Sequence, residues 1–592
     1  MAAFYLDCRM RGKNILLRYI DSEGKEQMLK HDGYKPVLYT RSIHGETSEF
    51  KDLVNAKPLT RMHYNGLYDA RQAVDNARGT STEFYGNRNF NYTFLHETFE
   101  NTEDYDPSKI RIFNIDIECP SDKGFPDPML AEWEMNSICI YDNITDKFMV
   151  WGLGEFDLSM TVKLGDFNGT IEELLAREGV KREQIIYRKC NTELNLFKFM
   201  LRYWTANFPV GITGWYTSSF DMPYIYNRMV RLGLDPKKLS PWGVCDIRED
   251  EFQGRITQSV NILGVNDLDY LNLYKKNRFA PRESHKLGFI GDAEGVGTKI
   301  DFSDEASNLR TLHKVNWSLY TAYNICDVNV VKRLDDKLGF LGITFAVAYF
   351  AGINYSDVKS PVATWENLLY RNSIGDGVIM PPKRDNESES YEGGYVSVPQ
   401  TGKHKWVLSQ DLSSLYPHLI MQANISPETV TDLFVPNLTV DSMLNRCILD
   451  VPNDLAICPS GNTFTKTEQG LLPKMMLMLY NERKAIKKRM LAHEQWNTDA
   501  DTEIKRRGLD INQVAVLMNT DTDNHVLADM TDEVLIAYYK YHIRQESLCQ
   551  GGQMVRKILL NSAYGALANK YFSCYDIRLA RSITTLGQLA VR

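Results

Sequence analysis

The amino-acid sequence predicts a multidomain protein of α/β and α+β class, and three observations predict it. At 592 residues and roughly 150 residues per domain, the chain has room for about four domains, each able to bury a core of its own. From Ile110 onward, strand-type runs alternate with helical patterns, which argues an α/β domain. From Leu471 the pattern turns helical. Hydrophobic residues at 43% and charged residues at 24% are ordinary for a globular chain and exclude a disordered or fibrous one. A net charge of -8 excludes a uniformly basic nucleic-acid binder, so any nucleic acid must be met by cations gathered in local grooves.

The elements follow in order. Residues 1–107 open with a strand at 14–20 and end in a polar segment rich in Asp, Glu and Asn at 97–109, which reads as a mixed domain and its linker. Residues 110–117 form a short β-type run, followed by helical patterns at 171–176, 195–204 and 223–232. A second polar stretch lies at 381–390, a buried strand is expected at 406–410, and a long polar excursion interrupts the helical text between about 495 and 528. There is no solenoid-type repeat. The ten cysteines form no C-x-x-C pair, which leaves a zinc ribbon without ligands and suits a reducing cytosol. No signal segment opens the chain, and the longest apolar run, 338–353, is too short to span a bilayer, so a soluble cytosolic protein is expected.

Three acidic clusters carry chemistry. Asp116 and Glu118 end the first strand of the α/β region; residues i and i+2 of a strand share a face, so both carboxylates point to one site. A pair of solvated edge charges gives the same pattern. Asp221 follows a strand and a small-residue turn, where an ordinary helix N-cap is the alternative. Tyr323 and Asp327 stand at i and i+4 on one helical face. Converging carboxylates with a group that orients water are what two divalent ions about 4 Å apart need for in-line phosphodiester hydrolysis. Four acids and one tyrosine fit that recipe.

In this order the clusters resemble the D-I-E, N-x-x-x-F-D and Y-x-x-x-D motifs of the proofreading 3′–5′ exonuclease domain of family B DNA polymerases. The resemblance implies a ribonuclease-H-like fold in which Asp116, Glu118, Asp221 and Asp327 are metal ligands and Tyr323 orients the attacking water. One position departs: the family's Asn in the second motif is Tyr216 here, which bears on how a single-stranded end is held. Lys299 is a candidate to neutralise the scissile phosphate, with a solvated surface lysine as the alternative.

A second set of residues concerns nucleotides. Asp411 leaves an apolar run, and the turn after it can offer backbone N–H groups to a triphosphate; a capped turn is the bland alternative. Arg483 and Lys487 lie one helical turn apart, and Lys557, Asn561 and Tyr564 share a face at i, i+4 and i+7. Cations at that spacing suit a polyphosphate, against a solvated basic face for the first helix and a buried helix with one satisfied Asn for the second. The run from Asp411 to Pro417 resembles the family's D-x-x-S-L-Y-P motif, the run from Lys557 to Gly565 its fingers motif K-x-x-x-N-S-x-Y-G, and the run from Tyr391 to Gly394 its Y-x-G-G segment. The resemblance implies that Asp411 and the backbone of Leu412 bind metal. It further implies that Leu412, Ser413, Ser414 and Leu415 cradle the triphosphate and that Tyr416 packs beneath the sugar. Arg483, Lys487 and Lys557 would bind the incoming dNTP, Asn561 and Tyr564 would shape the nascent pair, and Tyr391, Gly393 and Gly394 would meet DNA. Carboxylate chemistry favours Mg²⁺, two ions per site, with Mn²⁺ as a substitute.

The resemblance runs along the whole chain, with a narrower likeness to the polymerases of T-even-type bacteriophages carried by residues 424–429 and 582–588. It divides the chain into an N-terminal domain at 1–107 with 341–383 packing back on it, an exonuclease domain at 108–340, the first part of a palm at 384–470, helical fingers at 471–573, and the start of the palm's second part at 574–592, with no thumb. The family's second polymerase carboxylate lies in a D-T-D-S hairpin after the fingers motif. Here D-T-D occurs at 521–523, ahead of that motif and followed by Asn524, and reads as a chance match. Residues 587–592 read as the middle of an amphipathic helix. The expectation is a polymerase split between two chains, the second supplying the D-T-D-S hairpin, the thumb and the contact with a sliding clamp; a shortened chain is the rival. Primer-template DNA and dNTPs are the implied partners, and the cytoplasm of an infected bacterium the implied location. An autonomous 3′–5′ exonuclease and a non-catalytic nucleic-acid-binding regulator are the alternatives. The intact nucleotide motifs argue against the first and the complete set of exonuclease acids against the second.

Overall fold

A computed structural model describes residues 3–42, 48–99, 102–121, 124–252, 255–278, 281–384, 386–387, 389–511 and 527–592. The D-T-D run at 521–523 lies outside the described residues. The chain divides into two compact units, one built from Met1–Tyr34, Glu97–Phe345 and Asn354–Ser356, the other from Lys35–His96, Ala346–Ile353 and Asp357–Arg592.

The first unit begins with an antiparallel meander of Phe4–Arg11, Asn14–Ile20 and Glu26–His31. A buried cation helps tie this meander to the rest of its unit. Arg18 has no solvent exposure; it donates to the carbonyls of Pro209 at 2.7 Å, Gly264 at 2.6 Å and Phe208 at 3.0 Å, and pairs with Glu26 at 2.7 Å. Removing it strands two buried carbonyls and one partly buried one, and leaves the Glu26 carboxylate without its cation. Arg18→Met is expected to destabilise this unit by roughly 3–5 kcal/mol, read as a lower urea midpoint; an unchanged midpoint would sink this account of the junction.

The main sheet of the unit has six strands in the order Ile185–Lys189, Lys147–Gly152, Ser137–Asp142, Ile112–Glu118, Gly211–Thr213 and Asn266–Asp267. The Lys147–Gly152, Ser137–Asp142 and Ile112–Glu118 strands pair antiparallel, while the outer pairings are parallel. Strand alternation then decides what each face carries. Phe113, Ile115 and Ile117 enter a core with Met200, Trp204 and Ile225. The alternate residues Asn114 and Asp116 turn to the other face, beneath the Trp317–Leu338 helix, where Asn114 donates to the Val328 carbonyl at 2.7 Å and Asp116 accepts from Asn324. Helices expected at 171–176, 195–204 and 223–232 are Ile171–Arg177, Glu193–Ala206 and Asp221–Arg231. Thr170 and Glu173 start the first of these with a reciprocal capping box.

In the second unit, Val378–Ile379, Phe50–Asp52, Pro58–His63 and Val37–Arg41 form one sheet, and Val430–Phe434, Asn462–Thr465 and Leu455–Ile457 another. Two long helices, Leu471–Arg507 of 37 residues and Asp532–Leu567 of 36, pack side by side. The polar text from 495 does not end the first helix: Ala500 and Ile504 still close on Leu535, Ile536 and Tyr538, so a narrow apolar stripe carries it to Arg507. Its N-terminus has no side-chain cap of its own. The loop 424–429 supplies one: Asn424 Oδ1 accepts from Gly470 N at 2.9 Å, Glu428 Oε1 from Leu471 N at 2.5 Å and Ser426 Oγ from Leu472 N at 3.3 Å. These acceptors satisfy N–H groups that a helix start leaves orphaned, and the carboxylate also meets the positive end of the helix dipole.

The strand expected at 406–410 is not formed. Residues 391–412 carry no regular structure, and Trp406 is 100% exposed, with Val407 and Leu408 exposed beside it. A strand exists through pairing and burial of a face, and no described strand pairs with this segment. The ten cysteines are free thiols, the apolar run at 338–353 becomes the Phe340–Ala351 helix, and no helix among the described residues is long and apolar enough to cross a membrane.

Candidate active sites: a carboxylate cluster and a tyrosine cluster

The sheet and the Trp317–Leu338 helix bring the first set of acids together. Ligand atoms of Asp116, Glu118 and Asp327 lie within 4.8 Å of one another. Asp116 and Glu118 come from one face of a strand, and Asp327 from the helix above it. Asp221 is the first residue of its helix, one position inside the N-cap, which is Phe220. Its carboxylate accepts from Ile117 N at 3.2 Å, between the two strand acids. Tyr323 and Lys299 complete the group: the ammonium donates to the Tyr323 hydroxyl at 2.8 Å and pairs with Asp327. The reading of Lys299 as a solvated surface lysine is therefore corrected, because the buried carboxylate draws it inward.

Burial and mutual repulsion raise the acids. Asp116 is pushed up to about 7 by burial and then by the charge of Asp327, against the opposing pull of Lys299 and the hydrogen bond from Asn324. Burial, with Asp116 beside them, lifts Glu118 and Asp221 well above the carboxylate range. Asp327 is raised by burial despite Lys299. Lys299 itself loses to burial but gains more from Asp327, Tyr323 and Asp116, and ends above the ordinary lysine value. One oxygen of Asp327, Oδ1, is buried with no hydrogen-bond partner. All-oxygen donors, surplus negative charge and an unpartnered buried carboxylate oxygen are the features a hard divalent cation satisfies, so the residues present fit Mg²⁺ or Mn²⁺.

Sequence reasoning missed Asn324. It donates to Asp116 Oδ2 at 2.6 Å and accepts from Ser137 Oγ at 2.9 Å, which fixes the carboxylate's rotamer from the helix side. Its position three residues before Asp327 was the available signal, since i and i+3 share a helical face.

The nucleotide residues are brought together in part. Tyr391 and Tyr564 share a hydrogen bond of 2.7 Å, and the Tyr564 ring is 5.0 Å from that of Tyr416. Tyr416 is pressed against Gly587, where an added Cβ would sit 3.0 Å from its ring; any larger residue there must displace the phenol. Gln588 donates to the Gly393 carbonyl at 2.7 Å, and an added Cβ on Gly394 would lie 3.0 Å from the Tyr416 hydroxyl. Arg483 lies 3.4 Å from both Ser414 Oγ and Gln553 Oε1, and Leu415 starts the helix Leu415–Gln422. Asp411, Leu412 and Ser413 are exposed on the irregular segment, Lys487 and Asn561 are exposed on their helices, and Lys557 is half-buried. The structure thus assembles Tyr391, Tyr416 and Tyr564 and leaves Asp411 outside any sheet.

Fold and sites together define a class. The chain matches the model of the DNA polymerase family B exonuclease domain over residues 68–290 and that of DNA polymerase family B over residues 363–519, and it belongs to family B of the DNA polymerases. Among particular relatives, the DNA-directed DNA polymerases of Escherichia phage RB69 and Enterobacteria phage T4 are each 31% identical over 100% of this chain. The DNA polymerase delta catalytic subunit of Mesocricetus auratus is 25% identical over 70% of the chain and 35% of its own length. The chain spans 66% of the length of the two phage relatives.

Proposed function

We propose that the chain is the exonuclease-bearing part of a DNA-dependent DNA polymerase, with 3′–5′ hydrolysis at the Asp116 cluster and nucleotidyl transfer at a second site that includes Asp411. The observation that carries the first half is the convergence of Asp116, Glu118 and Asp327 within 4.8 Å, with Asp221 bonded to the backbone between the strand acids. Divalent ions bound there would polarise the scissile phosphate and stabilise the leaving 3′-oxygen. The chain's own residues orient the reactants. Tyr323, fixed by Lys299, presents its hydroxyl to the attacking water, and Lys299, beside Asp327, would neutralise phosphate charge. Water adds to phosphorus, the bond to the 3′-oxygen breaks, and a 5′-mononucleotide leaves. The six-stranded mixed sheet supports a ribonuclease-H-like assignment, and the five-part division from 1–107 to 574–592 is retained within this proposal.

For synthesis, the primer 3′-hydroxyl would attack the α-phosphate of a dNTP and release pyrophosphate, with Tyr416 beneath the sugar and Arg483, Lys487 and Lys557 around the phosphates. The unpaired, exposed segment 391–412 supports the further reading that a second polypeptide completes this site, pairing strands against residues 406–411 and bringing a second carboxylate, a thumb and a clamp contact. Primer extension tests it. The chain alone should shorten 5′-labelled single-stranded DNA in Mg²⁺ but extend no primer, and template-directed synthesis should appear on adding a polypeptide that carries the hairpin and thumb. Emission from Trp406 should shift to the blue as the segment is covered. Processive synthesis by the chain alone would overturn the split reading.

A further inference from the structure

Tyr216 has a conformation that its own packing does not explain. Its φ is +71°, in the left-handed region, which costs a bulky residue roughly 1–2 kcal/mol. Its ring gains little in return, because the residue remains 45% exposed. Strain of this kind persists when the surroundings over-determine it, and it clusters where ligands are held.

The surroundings do over-determine it. Gly214, at the start of the turn, sits so close to the sheet that an added Cβ would lie 2.5 Å from the Ile115 carbonyl oxygen. At the other end, Asp221 accepts from Ile117 N. Both ends of the turn are thereby fixed on the strand that carries Asp116 and Glu118. Between them, Trp215 donates to the His285 carbonyl at 3.0 Å, and Ser218 donates to Asp269 at 3.0 Å and to Asp267 at 2.6 Å. The Tyr216 carbonyl accepts from Ser219 N at 3.2 Å and Phe220 N at 3.1 Å. Next in the chain, the Phe220 ring lies 4.9 Å from that of Phe125, which is 80% exposed. A rigid turn beside a cluster of carboxylates therefore turns an uncharged aromatic face to solvent. Such a face suits the π-surface of a nucleobase.

We propose that Tyr216 sets substrate preference at the exonuclease site by stacking its ring on a base at the 3′ end of the entering single strand. The inference rests on the exonuclease reading above. Asn is among the residues that best tolerate a left-handed backbone, so an Asn at this position would keep the turn and exchange a stacking face for an amide. This chain makes the opposite choice, and purine ends, with the larger π-surface, should be bound more tightly than pyrimidine ends.

The test uses single-stranded DNA ending in 2-aminopurine, whose fluorescence is quenched by stacking, and an Asp116→Ala background so that the strand is not consumed. Quenching should occur with Tyr216 and with Tyr216→Phe, and be lost in Tyr216→Asn and Tyr216→Gly, both of which accept the left-handed backbone and so preserve the fold. In the otherwise native chain, Tyr216→Asn should raise KM for single-stranded DNA by about 10-fold, in the range base stacking supplies, with kcat little changed. Equal quenching and equal KM in Tyr216→Asn would overturn the proposal. Failure of the exonuclease reading is a separate result: the native chain would not shorten DNA at all, and the quenching comparison would still decide whether Tyr216 stacks.

Discussion

Asp116→Ala and Asp327→Ala should each lower hydrolysis of 3′-labelled single-stranded DNA by roughly 10³-fold, the factor that corresponds to the several kcal/mol a bound cation contributes to stabilising transition-state charge. The two residues come from different elements, the Ile112–Glu118 strand and the Trp317–Leu338 helix, so matching losses would locate the chemistry between them. Asn324→Ala should cost less, because it releases a rotamer and leaves the ligand in place; the Asn324 amide is bonded to Asp116 and Ser137. A loss confined to KM in the Asp116 variant, with kcat intact, would mean that the cluster holds DNA without cutting it.

The second large effect is on stability, and its sign follows from the raised carboxyls. Asp116 binds its proton up to about pH 7 in the folded chain, against 3.8 for an ordinary aspartate. Between those values the folded state holds a proton that the unfolded chain has released, so stability falls as pH rises through the window and the loss is complete above it. For Asp116 the difference corresponds to on the order of 4 kcal/mol. In EDTA, Asp116→Asn should therefore melt at a higher temperature than the native chain at pH 8, and the two should converge near pH 4. Added Mg²⁺ should raise the melting temperature of the native chain at pH 8 and leave the variant nearly unmoved. A variant less stable than the native chain at pH 8 in EDTA would contradict the assigned electrostatics.

Where the pattern of residues was local, it was legible. The β-type run that opens at Ile110 has Asp116 and Glu118 at i and i+2, which turns both to one face, and their ligand atoms converge there with Asp327. The 3.6-residue spacing of Tyr323 and Asp327 did the same for the helix. What depended on partners distant in sequence was not legible. Residues 406–410 have strand-forming side chains, but pairing belongs to two strands and the text of one cannot show whether it is met. For Lys299 the sequence left a phosphate-neutralising role and a solvated surface lysine both open, because nothing nearby in sequence signals that it pairs with Asp327, 28 residues later. The cap on the Leu471–Arg507 helix comes from Glu428 and Ser426, more than forty residues upstream, where no rule of adjacent residues would look.

That distant cap has a mechanical consequence. A helix of 37 residues is about 55 Å long at 1.5 Å per residue, and the hydrogen bonds from Asn424, Ser426 and Glu428 clamp one end of it. A helix held at its base in this way has the geometry of a lever. Arg483, twelve residues along, sits about 18 Å from that base, so a swing of about 10° carries its guanidinium about 3 Å while the far end travels about 10 Å. A tilt of that size about the loop 424–429 would therefore move Arg483 by the length of a hydrogen bond and the tip by that of a whole side chain, the gearing being set by how far along the shaft each residue stands.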